Sequence, residues 1–249
     1  MTLGLPDNVR ACLFDLDGVV TKTAVVHAAA WKQMFDDFLR ERAAQAGEEF
    51  VAFDPATDYT AYVDGKPRAD GVRSFLASRS IELPEGDAGK PDEDTVLGLG
   101  TRKNKLVVEK IRDQGVEPYE GSVRYLEAAR EAGLRIAVVS SSANCRDVLI
   151  AAGVEEFFEA RIDAGVADRD KLPGKPAPDT FLAGAKALGA EPSESAVFED
   201  ALVGVQAGAA GDFAYVVGVD RVGPAHAAEL AENGADVVVQ DLAELIEAS

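Results

Sequence analysis

Apolar positions along this chain follow two regimes. The run Val9-Arg10-Ala11-Cys12-Leu13 is short and apolar and reads as a buried strand. Thr23 then precedes a long helical pattern from Ala24 to about Ala46, in which Trp31, Phe35, Phe38 and Leu39 recur on one face. From about Glu48 to Thr101 the rhythm breaks. Asp54-Pro55, Gly65-Lys66-Pro67 and the run from Pro84 to Pro91 mark loops. Between them, Ala69–Ser78 reads as a helix with Val72, Phe75 and Leu76 inward, and Lys103–Gln114 as another with Leu106, Val107 and Ile111 inward.

From Pro118 onward the pattern is regular. Helix Ser122–Ala132, strand Arg135–Val139, helix Cys145–Ala152 and a short strand Phe157–Ile162 come first. Helix Pro178–Leu188, strand Ala196–Phe198, helix Leu202–Ala210, strands Ala214–Val219 and Ala235–Val239, and helix Leu242–Ala248 follow. Gly133, Gly153 and Gly189 stand where helices end. Strands alternating with helices predict an α/β fold, a doubly wound, Rossmann-like parallel sheet covered on both faces. Its expected extent is residues 1–22 and 104–249, with an all-helical insertion over 23–103.

Composition narrows the function. A net charge of −19 excludes a nucleic-acid binder, because a phosphate backbone needs a basic footprint. No apolar run is long enough to span a bilayer, so no membrane partner is expected. The opening residues Met1–Asp7 lack the basic start and apolar core of a secretory signal. Cys12 and Cys145 make no disulfide framework. A cytoplasmic monomer is the expectation. The scarce bases cluster: Lys66, Arg68, Arg73 and Arg79 in one segment, Arg102, Lys103 and Lys105 in another.

Four sets of polar residues fall where strands end or loops begin. Asp15 and Asp17 follow the first strand, and Gly18 permits a sharp turn there. A strand-end turn capped by its own acids is the plain alternative. Ser140, Ser141 and Ser142 follow the strand ending at Val139, where a hydroxyl and helix N–H groups suit an anion; Ser140 and Asn144 suit a helix cap equally well. Lys175 is held in Pro173-Gly174-Lys175-Pro176-Ala177-Pro178, an unusual setting for a merely solvated lysine. Glu199-Asp200 end another strand and either cap the next helix or join Asp15 in binding a hard divalent ion, Mg²⁺ above all. His27, one turn before Trp31, lies at the edge of an apolar stripe, where a structural histidine is the ordinary case.

That ordered set of Asp-x-Asp, Ser, Lys and Glu-Asp resembles the haloacid dehalogenase superfamily of phosphotransferases over nearly the whole chain. More narrowly, Asp15 to Thr23 continuing to His27 and Trp31, Gly65-Lys66-Pro67-Arg68, Arg102-Lys103-Asn104 and Ser140 to Asn144 are similar to β-phosphoglucomutases. The resemblance implies that the helical insertion is a cap closing over the core. It implies Asp15 as nucleophile, Asp17 as general acid and base, and Ser140 and Lys175 as stabilisers of the transferring phosphoryl group. Asp15, Asp17 (through its carbonyl), Glu199 and Asp200 would hold Mg²⁺. Thr23, His27, Trp31, Gly65, Lys66, Arg68, Lys103, Ser141, Ser142 and Asn144 would contact a small phosphorylated sugar. The implied reaction is conversion of β-glucose 1-phosphate to glucose 6-phosphate through a bisphosphate; hydrolysis of a sugar phosphate and a non-catalytic binding role are the alternatives. Ala143 departs from the pattern, standing where that group commonly carries Lys, with Arg146 as a substitute.

Overall fold

The computed structural model describes residues 3–247. Met1 and Thr2, and Ala248 at the end of the expected last helix, lie outside the described residues. The chain forms two compact units, one running up to Lys22 and resuming at Val116, the other comprising Thr23–Gly115. The second crossing thus falls at 115/116 and not at 103/104, because one helix runs unbroken through the earlier position.

Strand β1 (Ala11–Phe14) opens the first unit. The expected Val9–Leu13 is displaced by one to two residues, although Arg10 still donates to the Glu194 carbonyl at 2.7 Å. The helical unit follows. Helix α1 (Ala24–Ala46) buries Trp31, Phe35, Phe38 and Leu39, as their spacing predicts, and Met34 with them. A π turn at Tyr59–Val63, α2 (Arg68–Ser78) and α3 (Val96–Gln114) complete it. Phe35 and Phe75 face each other at 4.1 Å between ring centres, with Phe53, Val72, Leu76 and Leu99 around them. The unit therefore has its own apolar core. Helix α3 starts two turns before Lys103, inside the stretch up to Thr101 where the apolar rhythm breaks; Thr95 caps it by accepting from the Gly98 N–H at 3.0 Å.

The first unit resumes with α4 (Glu120–Glu131), β2 (Arg135–Val139), α5 (Cys145–Ala151), β3 (Ala160–Ile162), α6 (Ala164–Asp170), α7 (Asp179–Ala187) and β4 (Ser195–Glu199). It ends with α8 (Leu202–Ala210), β5 (Tyr215–Val219), α9 (Pro224–Glu232), β6 (Val237–Val239) and α10 (Ala243–Glu247). All pairings are parallel, in the order β3-β2-β1-β4-β5-β6. β1 is buried on both faces, which is why it reads as a continuous apolar run. Ala11 and Leu13 join Val139, Phe181, Val197 and Val205 on one side. On the other side, Phe14 stacks on Phe198 at 4.3 Å and meets Tyr125 of α4 edge-on. Helices α6 and α9 are additions to the expected pattern; α6 buries no residue, so it leaves no apolar period to read.

Replacing Phe35 by Ala leaves a cavity at the centre of the helical unit's core. The expected loss is about 3–5 kcal/mol of unfolding free energy, read from the urea midpoint.

Candidate active site

The chain leaves β1 toward β2 on one side of the sheet and returns to β4 on the other. β1 and β4 therefore flank the point where the winding reverses, and crevices of parallel sheets open at the carboxyl ends of such strands. Asp15 follows β1, Ser140 follows β2, Glu199 ends β4 and Asp200 follows it. Lys175 reaches the same place from the Pro/Gly segment before α7, whose Lys175–Pro176 peptide is cis. Its ammonium donates to Asp15 Oδ1 at 2.5 Å and to Glu199 Oε1, and lies 4.9 Å from the ring centre of Phe181. Its side chain is 1% exposed. Glu199 Oε2 also accepts from the Ala201 N–H at 2.9 Å, so this carboxylate serves the helix start and the lysine together.

The electrostatics are those of buried, mutually dependent charges. Burial alone would lower the Lys175 ammonium, but Asp15 and Glu199 outweigh it and hold its pKa above the usual lysine value. Burial pushes the Glu199 carboxyl up, against the pull of Lys175 and with the charge of Asp15 adding to the rise. Asp15, Glu199 and Asp200 each bring a carboxylate oxygen within 4.8 Å of the others. Three carboxylates gather about one ammonium, so acids outnumber bases in the cluster. An all-oxygen donor set with that excess fits a hard divalent cation such as Mg²⁺. Asp17 stands apart: it is half-exposed, and its carboxylate is not one of that group.

Two glycines make room for this cluster. Gly18 has φ +96°, and a Cβ there would overlap the Asp200 carboxylate. At Gly204, in the first turn of α8, a Cβ would overlap the Glu199 carboxylate. The importance of Gly204 is invisible in the sequence, since only the fold brings it against Glu199.

The serine loop is built on itself. Ser140 Oγ accepts from the Ser142 N–H at 3.1 Å, and Ser142 Oγ from the Asn144 N–H at 3.1 Å. Ser140 and Ser142 are buried and Ser141 is half-exposed. Asn144 is the residue before α5 but makes no side-chain cap bond. Ala143 is exposed, and Arg146, also exposed, lies 3.4 Å from Glu155.

In the helical unit, His27, Trp31 and Lys103 converge. Lys103 Nζ is 2.9 Å from His27 Nδ1 and 4.8 Å from the centre of the Trp31 ring, and Lys103 is 5% exposed. An ammonium only donates, so His27 Nδ1 accepts and the imidazole proton sits on Nε2. Burial first, then the charges of Lys103 and Arg68, hold the His27 pKa well below its ordinary value. Trp31 is buried and stacked on Phe35 at 5.3 Å, so most of its ring belongs to the core. Lys66 Nζ donates to Ser74 Oγ at 2.9 Å, and burial lowers its pKa. Gly65 has φ +67°, and Thr23, buried, precedes α1 without a side-chain cap bond. Three other bases of this unit are held by local acids: Arg73 by Asp70 and Glu85, Arg79 by Asp58, and Arg102 by Asp94.

A family model for haloacid dehalogenase-like hydrolases matches residues 9–212, which include the whole Asp15–Lys175–Glu199–Asp200 cluster. The chain belongs to this family. Haloacid dehalogenase-like relatives of known name are similar over nearly its whole length. Proteins named β-phosphoglucomutase from Mycobacterium bovis and Mycobacterium tuberculosis are 58% identical over 246 residues, covering 98% of this chain and 94% of theirs. Hexitol phosphatase A of Escherichia coli is 29% identical, covering 95% and 93%. Among solved structures, a β-phosphoglucomutase from Clostridium difficile superposes with a TM-score of 0.73 at 26% identity, covering 95% and 93% of the two chains. This member of the haloacid dehalogenase-like family is thus an enzyme, a phosphotransferase homologous to β-phosphoglucomutases. Among the described residues no helix is long and apolar enough to cross a membrane, and Cys12 and Cys145 are buried free thiols.

Two expected outcomes follow from this geometry. Gly18→Ala forces a side chain into left-handed backbone and against Asp200, and should cost about 1–3 kcal/mol of stability in urea denaturation. His27 is neutral when folded but titrates near its ordinary value when unfolded. Below pH 6.5 the unfolded chain therefore binds the extra proton, and stability falls as pH drops. Between pH 6.5 and 5, wild type should lose up to about 1.4 kcal/mol per pH unit more than His27→Gln in parallel denaturation curves.

Proposed function

We propose that the chain is a Mg²⁺-dependent phosphosugar mutase that passes a phosphoryl group through Asp15, converting β-glucose 1-phosphate to glucose 6-phosphate by way of a bisphosphate. What carries this reading is the buried contact of Lys175 with both Asp15 and Glu199, in a chain 58% identical to proteins named β-phosphoglucomutase. Asp15 attacks phosphorus and the bond to the leaving sugar oxygen breaks, giving an aspartyl-phosphate. Asp17 lies one residue beyond the nucleophile and half-exposed. It protonates the leaving oxygen, then takes a proton from the accepting hydroxyl when the phosphoryl group returns to sugar. Lys175 and Ser140 offset charge on the transferring group, and Ser141, Ser142 and Asn144 border it. Asp15, Glu199 and Asp200, with the Asp17 carbonyl, would hold Mg²⁺, which supplies charge neutralisation for the phosphoryl oxygens.

The helical unit's role in this reading is to hold the sugar phosphate. Arg68 and Lys103 supply the cations, and the neutral His27 keeps Lys103 in place without adding a third charge. Thr23, Trp31, Gly65 and Lys66 shape the same surface.

A phosphatase is the second reading, favoured by Ala143. That position offers no cation to a second phosphate, and the neighbouring Arg146 is taken up by Glu155. Supplying β-glucose 1-phosphate, Mg²⁺ and a trace of glucose 1,6-bisphosphate separates the two. The mutase yields glucose 6-phosphate in large excess over free phosphate; free phosphate without isomerisation would establish the hydrolase. Asp15→Asn should cut either rate by at least about a thousandfold.

A further inference from the structure

Arg221, in the loop between β5 and α9, takes no part in the chemistry above, yet it is fastened to the catalytic turn. Asp220 fixes the loop: its N–H donates to the Val239 carbonyl at 2.8 Å, and its Oδ1 accepts from the Val222 and Gly223 N–H groups at 2.9 and 2.8 Å. His226 Nδ1 lies 3.3 Å from the same oxygen. Presented in this way, the Arg221 guanidinium lies 3.6 Å from the ring centre of Tyr119. Its Nε donates to the Gly18 carbonyl at 2.8 Å and its Nη1 to the Gln240 carbonyl at 2.5 Å, while Nη2 is buried. Tyr119 is tied to the same turn, its N–H donating to the Val20 carbonyl at 3.0 Å.

One planar cation thus joins the acidic turn after β1, the residue that starts α4 and the exit of β6. Gly18 is the residue with no room for a Cβ beside the Asp200 carboxylate, and the guanidinium holds its carbonyl.

We propose that Arg221 is a positioning residue: by holding the Gly18 carbonyl it fixes the turn carrying Asp15 and Asp17 against Asp200, and so sets the divalent-cation affinity of the Asp15–Glu199–Asp200 cluster. The proposal rests on that cluster being the Mg²⁺ site. The sign of the effect separates positioning from simple electrostatics. A guanidinium repels a nearby cation, so deleting its charge alone would tighten Mg²⁺ binding. Losing its grip on the turn would weaken it.

The test is Mg²⁺ titration of the chelator-treated full chain by calorimetry, with the Mg²⁺-dependent shift in melting temperature as a second readout. Wild type should bind and Asp200→Asn should not. Arg221→Met should bind at least about tenfold more weakly, as for other groups that orient metal ligands. Arg221→Lys should fall between, because an ammonium keeps one donor but not the stacked fork. Arg135→Met is the control. Arg135 also donates to a main-chain carbonyl, that of Leu188, and to Glu159, but at the opposite end of the sheet; it should lose stability with Mg²⁺ affinity unchanged.

If Arg221→Met fails to fold, Tyr119→Leu takes its place, with a severalfold weakening expected. Binding by Arg221→Met (or by Tyr119→Leu in its place) as tight as wild type, or tighter, while Asp200→Asn binds none, would overturn the role of Arg221 and leave the metal site standing. Equal weakening in Arg135→Met would also overturn it, as general destabilisation. Undiminished binding by Asp200→Asn would remove the metal site itself and this proposal with it.

Discussion

An ammonium taken out of water can remain charged only where carboxylates meet it at hydrogen-bond distance, and Lys175 meets two. The requirement is mutual. Asp15 and Glu199 are themselves buried, and neither carboxylate could be ionised there without a cation. Each of the three groups therefore specifies where the other two must be, although they come from separate stretches of the chain. The excess of acids over the one base is what suits the place to a hard divalent ion.

The sheet supplies the convergence. In the order β3-β2-β1-β4-β5-β6, the strand leading to Asp15 lies between those leading to Ser140 and Glu199, so a hydroxyl and two carboxylates emerge side by side. The Pro/Gly segment before α7 then needs to deliver only one side chain. Small residues at Gly18 and Gly204 let the carboxylates of Asp200 and Glu199 settle against the backbone. The helical unit makes a different kind of site. There a buried lysine rests on an aromatic face beside an imidazole kept neutral by burial and neighbouring cations, so positive charge is gathered in a chain whose overall balance is acidic.

Much of this was legible beforehand, for identifiable reasons. The bounds of α1 and α8 and of β2 agree with the apolar pattern because the helices present a clear buried face and the strand is buried from Ile136 to Val139. Helix α6 escaped notice because it buries nothing, and α9 because only His226 and Leu230 are buried along it. The first turns of α3 carry Gly98 and Gly100, whose low helix propensity is overridden by the packing of Val96 and Leu99 in the unit's core. Among the bases, charge clustering alone did not distinguish Arg73, Arg79 and Arg102, held by local acids, from Lys103, held by His27 and Trp31.

The sequence by itself determined the alternation of elements and the family resemblance, because local periodicity and residue type are properties of short stretches. Which charges are neutralised, which glycines must remain bare, and how Arg221 reaches Gly18 were decided only in the folded chain. Those facts depend on distances between residues as much as 203 positions apart, and no local pattern carries that information.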